Sequence, residues 1–213
     1  NQSWEAHHNS QRTSIFTDIT YIPHNTLNLS ISPSVSFRKN ELQYVDTRNY
    51  NDQKRYIMAS IDRTTLSMSL RANFSLTPDL SLQYWGQPFI ATGNYSDFKR
   101  ITNSTAENYK DRFHTFTDQQ ITRQNGHFKI DENRDGITDY AFVAPDFNVL
   151  QFKSNLVARW EYIPGSTVYL VWSQNRNGFN PTGNFSLQND LNDLFGIYPE
   201  NVFLVKFTYR MGL

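Results

Sequence analysis

The chain of 213 residues contains no cysteine, which excludes a disulfide framework and a thiolate metal site. Its formal net charge is zero and it has no basic run, so we expect no nucleic-acid partner. No apolar run approaches the about 20 residues that a membrane-spanning helix needs. The N-terminal stretch NQSWEAHHNSQRT has neither a positive start nor an apolar core. It is therefore not a signal peptide, and we expect any such signal to have been removed or to lie upstream.

Recognised catalytic motifs are also lacking: there is no nucleophile elbow, no HExxH and no phosphate loop. His7 and His8 are adjacent, but neighbours on a strand point to opposite faces, so they would chelate a metal poorly. His24, His114 and His127 are isolated and fall in expected turns or loops. We therefore expect no enzyme activity, no catalytic residues and no residues that bind an organic cofactor.

Aromatic residues, by contrast, are abundant. The chain has 16 Phe, 12 Tyr and 4 Trp, although its mean hydropathy is −0.62. A soluble protein of this polarity does not need so many rings. A membrane β-barrel does, because its strands alternate lipid-facing and lumen-facing residues and aromatic girdles mark both interfaces.

Apolar and polar residues alternate along most of the chain, which predicts strands with one apolar and one polar face. The stretch TTLSMSLRANFSLTPDLSLQYW (64–85) is the clearest case, because its Leu, Met, Ala and Phe residues occupy every second position up to Leu76. The expected strands are 15–22, 27–45, 55–76, 80–92, 149–162, 167–176 and 201–213. Pro33 falls in the middle of one of them, where only an edge or a bulge accommodates proline.

The connections between these strands are of two kinds. Three are tight, at 23–25, 77–79 and 164–166, and three are long and polar, at about 46–55, 96–147 and 178–200. Strict alternation of short and long connections is typical of outer-membrane barrels, whose long loops are extracellular. We therefore predict an all-β fold, an antiparallel transmembrane β-barrel. Its expected lipid face includes Leu66, Leu70, Phe74, Leu150, Trp160, Leu170 and Phe207.

The alternation of apolar and polar residues alone does not exclude a soluble antiparallel sandwich or barrel, whose apolar face is a core. This is the alternative to the membrane barrel.

With the tight turns in the periplasm, the C-terminus is also periplasmic and seven strands result. Bacterial barrels of this kind have an even number of strands, so residues 1–213 are expected to form the C-terminal portion of a larger barrel.

Two blocks resemble the C-terminal domain of a family of Bacteroidota outer-membrane proteins. They are TTLSMSLRANFSLTPDLSLQYWGQPFIATGNYSDFKRI (64–101) and FNVLQFKSNLVARWEYIPGSTVYLVWSQ (147–174). Members usually carry an N-terminal domain like carbohydrate-binding module family nine, followed by a long domain of unknown function. The resemblance covers most of the chain after about residue 55. It implies a β-barrel in the outer membrane of a Gram-negative cell and assigns no catalytic residues. The chain departs from such barrels by ending on Leu213 rather than on an aromatic residue.

The expected polar face is rich in cations, with Glu161 as the main acidic counterpart. Its cations are Arg71, Lys153, Arg159, Lys206 and Arg210. In a pore they favour anions, and the alternative is that they pair with acidic groups of further strands or a plug. Arg159 and Glu161 lie two residues apart on one face and are expected to form an ion pair.

We expect a channel- or transporter-like barrel linked to glycan or nutrient handling. The alternative is a plugged structural or accessory barrel of a larger envelope complex. The expected partners are outer-membrane lipid, envelope proteins and glycan. The aromatic residues Phe179, Phe185 and Phe195 predict that the loop 178–200 is ordered and packs on protein or glycan.

The stretch KIDENRDGITDYAF (129–142) predicts a calcium site in the longest loop. Asp131, Asn133, Asp135 and Asp139 stand at positions one, three, five and nine of a D-x-N-x-D-G-x-x-D run, and the carbonyl of Ile137 adds a ligand at position seven. Calcium takes six to eight oxygen ligands, and the glycine at position six permits the sharp turn. Position twelve is not Glu, and GHFKI and DYAFV favour flanking strands, so the site is not an EF-hand. The expected role is structural. The alternative is a turn rich in Asp, Asn and Gly that binds nothing.

Overall fold

The computed structural model describes residues 2–5 and 10–211. These residues form thirteen strands, one α-helix and a short 3-10 helix (Tyr109–Arg112). The strands are β1 (Gln2–Glu5), β2 (Ser10–Phe16), β3 (Ile19–His24), β4 (Leu27–Tyr50), β5 (Gln53–Ser75), β6 (Leu80–Ile101), β7 (Phe113–Thr115), β8 (Ile121–Gln124), β9 (His127–Ile130), β10 (Tyr140–Val143), β11 (Phe147–Ile163), β12 (Ser166–Asn180) and β13 (Glu200–Thr208). The helix α1 spans Leu187–Gly196.

Most strands form one antiparallel sheet in the order β1-β2-β4-β5-β6-β11-β12-β13. β3 continues the row of β2 along β4, and β7 pairs with the end of β6 that β11 does not reach. A second, three-stranded sheet has the order β10-β9-β8. Within the described residues the large sheet is not closed, because β1 and β13 are its two edges. The prediction of an all-β antiparallel fold is confirmed.

The strands expected from the alternation are present, but three expectations about them were wrong. The stretch 46–55 is no loop, because β4 and β5 continue through it to a two-residue turn at Asn51 and Asp52. Both residues have positive φ (51° and 57°), as tight hairpin turns require. β1 adds an eighth row next to β2. The long segment 178–200 begins as strand and contains α1.

Pro33 lies where the neighbouring row is interrupted. β2 ends at Phe16 opposite Ser34, and β3 begins at Ile19 opposite Ile31. Proline has no amide hydrogen to donate to a ladder, so a strand cannot pair continuously along that side. The break between β2 and β3 falls opposite the proline, where the backbone amide of Thr17 donates to the Pro33 carbonyl at 3.2 Å.

The two ends of the sheet differ in their connections. We call the end with the short connections 25–26, 76–79 and 164–165 the turn end, and the other the insertion end. The segments 102–146 and 181–199 both leave the sheet at the insertion end.

Both buried clusters also lie at the insertion end, on opposite faces of the sheet. In one, Leu194 of α1 packs on Ile90, Leu150 and Phe152. In the other, the three-stranded sheet packs on β5 and β6. Its buried members are Ile57, Ala59, Phe98, Phe116, Ile130, Tyr140 and Phe142.

Candidate functional site

One face of the large sheet is apolar from β3 to β13. Residues directly opposed in an antiparallel pair share a face, so the register shows which side chains belong together. The apolar face comprises Ile19, Tyr21, Leu27, Leu29, Ile31, Val35, Phe37, Leu66, Met68, Leu70, Phe74, Leu80, Leu82, Tyr84, Ile90, Leu150, Leu156, Trp160, Val168, Leu170, Trp172, Phe203, Val205 and Phe207. The structure therefore brings onto one face all seven residues that we predicted to share it.

Exposure divides this apolar face into two parts. Toward the turn end, Trp160, Leu170 and Phe207 are each more than half exposed. Toward the insertion end, Leu150 is buried beneath α1, so its predicted contact with lipid is wrong. Residues 187–196 carry three leucines at helical spacing, which is the sequence signal for this cover.

Aromatic side chains gather at both margins of the exposed part. Near the turn end, Tyr162 and Phe207 stack with ring centroids 5.4 Å apart. At the opposite margin, Trp172 and Phe203 stack at 6.0 Å, and the Trp172 indole donates to the side chain of Asn201 at 2.9 Å. Rings with one apolar and one polar neighbour suit a boundary between apolar and aqueous surroundings.

The margin toward the insertion end is also marked by charge. Next to Phe37 on the apolar face, Lys39 of β4 forms an ion pair with Asp62 of β5 at 3.9 Å. Between this pair and the turn end, the apolar stretch of β4 extends from Leu27 to Phe37. It has about 11 residues, which is the length of a tilted strand across a bilayer.

The other face, which we call the polar face, carries four of the five cations predicted for it, and the fifth, Arg210, follows the end of β13. Arg159 and Glu161 form the predicted ion pair, with an Nη2–Oε2 distance of 2.7 Å. Lys206 lies over the ring of Tyr169, 5.8 Å from its centroid. At the turn end of β11 to β13, Arg159 and Lys206 therefore both have partners on the polar face itself.

At the insertion end, Glu132 fastens the three-stranded sheet to the polar face. Its Oε1 lies 3.0 Å from Nε of Arg55 and 3.3 Å from Nε of Arg100, which belong to β5 and β6. The Tyr140 hydroxyl donates to the same oxygen at 2.6 Å, and Gln120 donates to the Glu132 carbonyl at 2.9 Å. The carboxylate side chain is only 9% exposed, so these partners replace its water.

Burial raises the pKa of the Tyr140 hydroxyl above its ordinary value, and the hydrogen bond to Glu132 raises it further. Sequence reasoning missed the Glu132 cluster. Glu132 and Arg55 are 77 residues apart, and neither belongs to a motif, so no local pattern indicates their contact.

The predicted calcium loop lies between β9 and β10, and its expected flanking strands are confirmed. The Asp131 carboxylate accepts the backbone amides of Arg134, Asp135 and Gly136 at 2.6 to 3.2 Å. Gly136 has φ +87°, as its predicted place in the turn requires. The structure thus brings the first part of the predicted ligand set into one tight turn.

Asp139 is engaged elsewhere in the same loop. Its Oδ2 accepts the backbone amide of Glu132 at 2.7 Å, and a hydrogen bond with its carboxylate raises the pKa of Tyr50. Among the described residues, no group of three or more His, Asp or Glu side chains is arranged to hold a metal ion. The calcium site with Asp131, Asn133, Asp135, Ile137 and Asp139 stays a prediction.

The histidines are dispersed. His7 and His8 lie outside the described residues, and His24 ends β3 beside a turn. His114 is 3.0 Å from the Gln120 side chain, and His127 is 3.0 Å from the carbonyl of Asn125.

These observations define the class of the protein as an antiparallel β protein with one extended apolar face, one cationic face and two insertions at one end. The chain belongs to the family described as Domain of unknown function (DUF5916), whose model matches residues 1–212. No curated protein and no solved structure matches it. Within residues 2–5 and 10–211, no helix has the length and apolar character needed to cross a membrane.

Proposed function

We propose that the chain forms part of an outer-membrane β-barrel whose exposed apolar face contacts lipid. The observation that carries this proposal is the apolar face itself, whose turn-end residues include exposed side chains on β3, β11, β12 and β13 and are mostly half-buried on β4, β5 and β6. Monomeric soluble proteins rarely expose continuous apolar surface on this scale. The aromatic margins and the 11-residue apolar stretch of β4 support the same proposal.

In this proposal the long strands extend beyond one side of the bilayer. β4, β5 and β6 contain 24, 23 and 22 residues, about twice what a bilayer needs. The turn end then lies at the periplasm together with the C-terminus, and the insertion end extends beyond the outer surface of a Gram-negative cell. The segments 102–146 and 181–199 become extracellular structure.

The same proposal takes residues 1–213 as the C-terminal portion of a larger barrel. The edge strand β13 supports it, because Val202, Phe203, Leu204 and Val205 are all more than half exposed on its two faces. An exposed apolar edge is a template for pairing with another strand. Further strands between β13 and β1 would remove both edges.

Within such a barrel the polar face lines the lumen, and we propose a channel- or transporter-like role in nutrient handling. The link to glycans rests only on the resemblance to proteins with a carbohydrate-binding domain. No catalytic role is part of the proposal. The second candidate, a plugged accessory barrel of an envelope complex, is favoured by one observation. The three-stranded sheet is fastened over the polar face by Glu132.

Extraction and conductance test these proposals in turn. We expect the protein to partition with membranes and to require detergent for extraction. A protein that is soluble and monomeric without detergent contradicts the barrel. In planar bilayers, conductance supports the channel, and a sealed lumen with a co-purifying envelope protein supports the accessory barrel.

We also propose that the loop 131–139 binds calcium with a structural role at the cell surface. The support is the turn around Asp131, which places oxygen-bearing side chains at alternate positions of one tight loop. Isothermal titration should give calcium-dependent heat that Asp135→Ala removes and the exposed control Asp118→Ala keeps. Absent heat in the parent, or an unchanged signal in Asp135→Ala, contradicts the site.

A further inference from the structure

Three arginines stand side by side on the polar face, across three neighbouring strands. Arg12 of β2 is directly opposite Arg38 of β4, which is directly opposite Arg63 of β5. We call these residues the arginine triad. Directly opposed residues have Cβ atoms about 4.5–5.5 Å apart, and like charges in such pairs destabilise a sheet. The triad therefore costs free energy unless negative charge lies close to it.

The sheet contains another directly opposed pair of arginines, and there the charge is neutralised. Arg48 of β4 faces Arg55 of β5. Arg48 forms an ion pair with Asp46, and Arg55 forms one with Glu132. None of the ion pairs formed among the described side chains involves the arginine triad.

Two carboxylates on the adjoining strands have other partners. Asp62 precedes Arg63 but lies on the opposite face of β5, where it pairs with Lys39. Asp146 accepts from Arg123 at 2.8 Å and from the backbone amide of Tyr95, also at 2.8 Å. Each of these two carboxylates therefore already has a cationic partner outside the triad.

Hydroxyl groups surround the triad on its turn-end side. Arg12 Nε lies 3.2 Å from Oγ of Ser14 and 3.2 Å from Oγ of Ser36. The triad and the hydroxyls of Ser34, Ser36, Thr65 and Ser67 line a concavity of about 310 Å³, and none of its described lining residues is a carboxylate. All three arginines are exposed, so their guanidinium groups are accessible to a ligand.

We propose that the arginine triad is a binding site for a soluble phosphate-bearing solute. Guanidinium groups bind phosphate oxygens through paired, charge-assisted hydrogen bonds, and neighbouring hydroxyls supply further donors. A ligand with two or more negative charges also removes the repulsion between the three cations. The site lies on the polar face, so its ligand comes from the aqueous phase. This site does not depend on the function proposed above.

Titration of inorganic pyrophosphate into the folded, detergent-solubilised protein tests the site, with ionic strength held constant by chloride. We expect saturable binding in the parent and affinity reduced about tenfold or more in Arg38→Gln, the centre of the triad. The matched control is Arg71→Gln, which removes the same charge from the same face of β5 outside the triad. It should bind within about twofold of the parent.

Thermal unfolding supplies a second readout that does not rest on heats of binding. Pyrophosphate should raise the melting temperature of the parent and of Arg71→Gln, but not that of Arg38→Gln, because only a folded site is stabilised by its ligand. In low salt without pyrophosphate, Arg38→Gln should be at least as stable as the parent, since repulsion is relieved. No binding by the parent, or equal affinity in Arg38→Gln and Arg71→Gln, overturns the proposal. Either result leaves the membrane assignment untouched.

Discussion

The turn-end and insertion-end halves of the same strands differ in what covers them. At the insertion end, α1 packs on one face and the three-stranded sheet packs on the other, and both contacts enclose buried clusters. At the turn end, large apolar side chains such as Trp160 and Phe207 are exposed. The insertion half has the packed core of a protein in water. The turn half lacks one, so its apolar face requires an apolar medium or a partner.

The largest effect is expected from Glu132 and its partners Arg55, Arg100 and Tyr140, which we call the Glu132 clamp. Glu132→Ala leaves Arg55 and Arg100 without their buried counter-charge, and breaking such a pair costs about 3–5 kcal/mol. We expect residues 121–143 to lose hydrogen-exchange protection, and the strands at the turn end to keep theirs.

The control for this clamp is Glu107→Ala, which removes an exposed carboxylate from the same long segment. It should leave the exchange pattern of 121–143 unchanged. Undiminished protection in Glu132→Ala would show that the three-stranded sheet is held by its apolar contacts alone.

In the turn half, an added charge should destabilise the protein on the apolar face but not on the polar face. Leu156 and Asn155 are neighbours in β11 and lie on the apolar and polar faces, respectively. In lipid, Leu156→Arg should destabilise folding by about 2–4 kcal/mol, because a cation near the bilayer midplane is costly. Asn155→Arg should change stability little. Urea unfolding from liposomes measures both, and equal losses would contradict the distinction between the faces.

A smaller effect is expected from Tyr140→Phe, which removes one hydrogen bond from the clamp at a cost of about 0.5–1.5 kcal/mol. The pKa of Tyr140 is raised in the folded protein, so its stabilising contribution is present below the unfolded pKa of about 10 and is lost as pH rises above it. As the pH rises above about 10, the hydrogen-exchange protection of residues 121–143 should therefore fall more steeply in the parent than in Tyr140→Phe. Parallel pH profiles would exclude this role of the tyrosine.

The sequence predicted the turn half better than the insertion half. Alternation identified the strands and the two faces because a single register runs through the turn half of β4, β5 and β6. Near the insertion end, β4 has two register shifts, between Asn40 and Gln43 and between Tyr44 and Asp46. Each shift changes which residues share a face, so the alternation disappears and the stretch 46–55 resembles a loop.

The candidate sites show the same limit. Local spacing indicated the Asp131 turn and the Arg159–Glu161 pair, since their partners are close in sequence. The arginine triad and the Glu132 clamp join distant strands, and only the register brings their members together. One charged residue in a polar segment does not indicate which distant strand it will contact.

The contact of the exposed apolar face with lipid is tested most directly on β12, which is paired on both sides. Because residues 1–213 contain no cysteine, single cysteines at positions 168–172 of this chain can be spin-labelled without background. In lipid vesicles, labels at 168, 170 and 172 should be relaxed mainly by oxygen, and those at 169 and 171 mainly by a water-soluble nickel chelate. Uniform relaxation by the nickel chelate along 168–172, or the opposite alternation, would contradict the account.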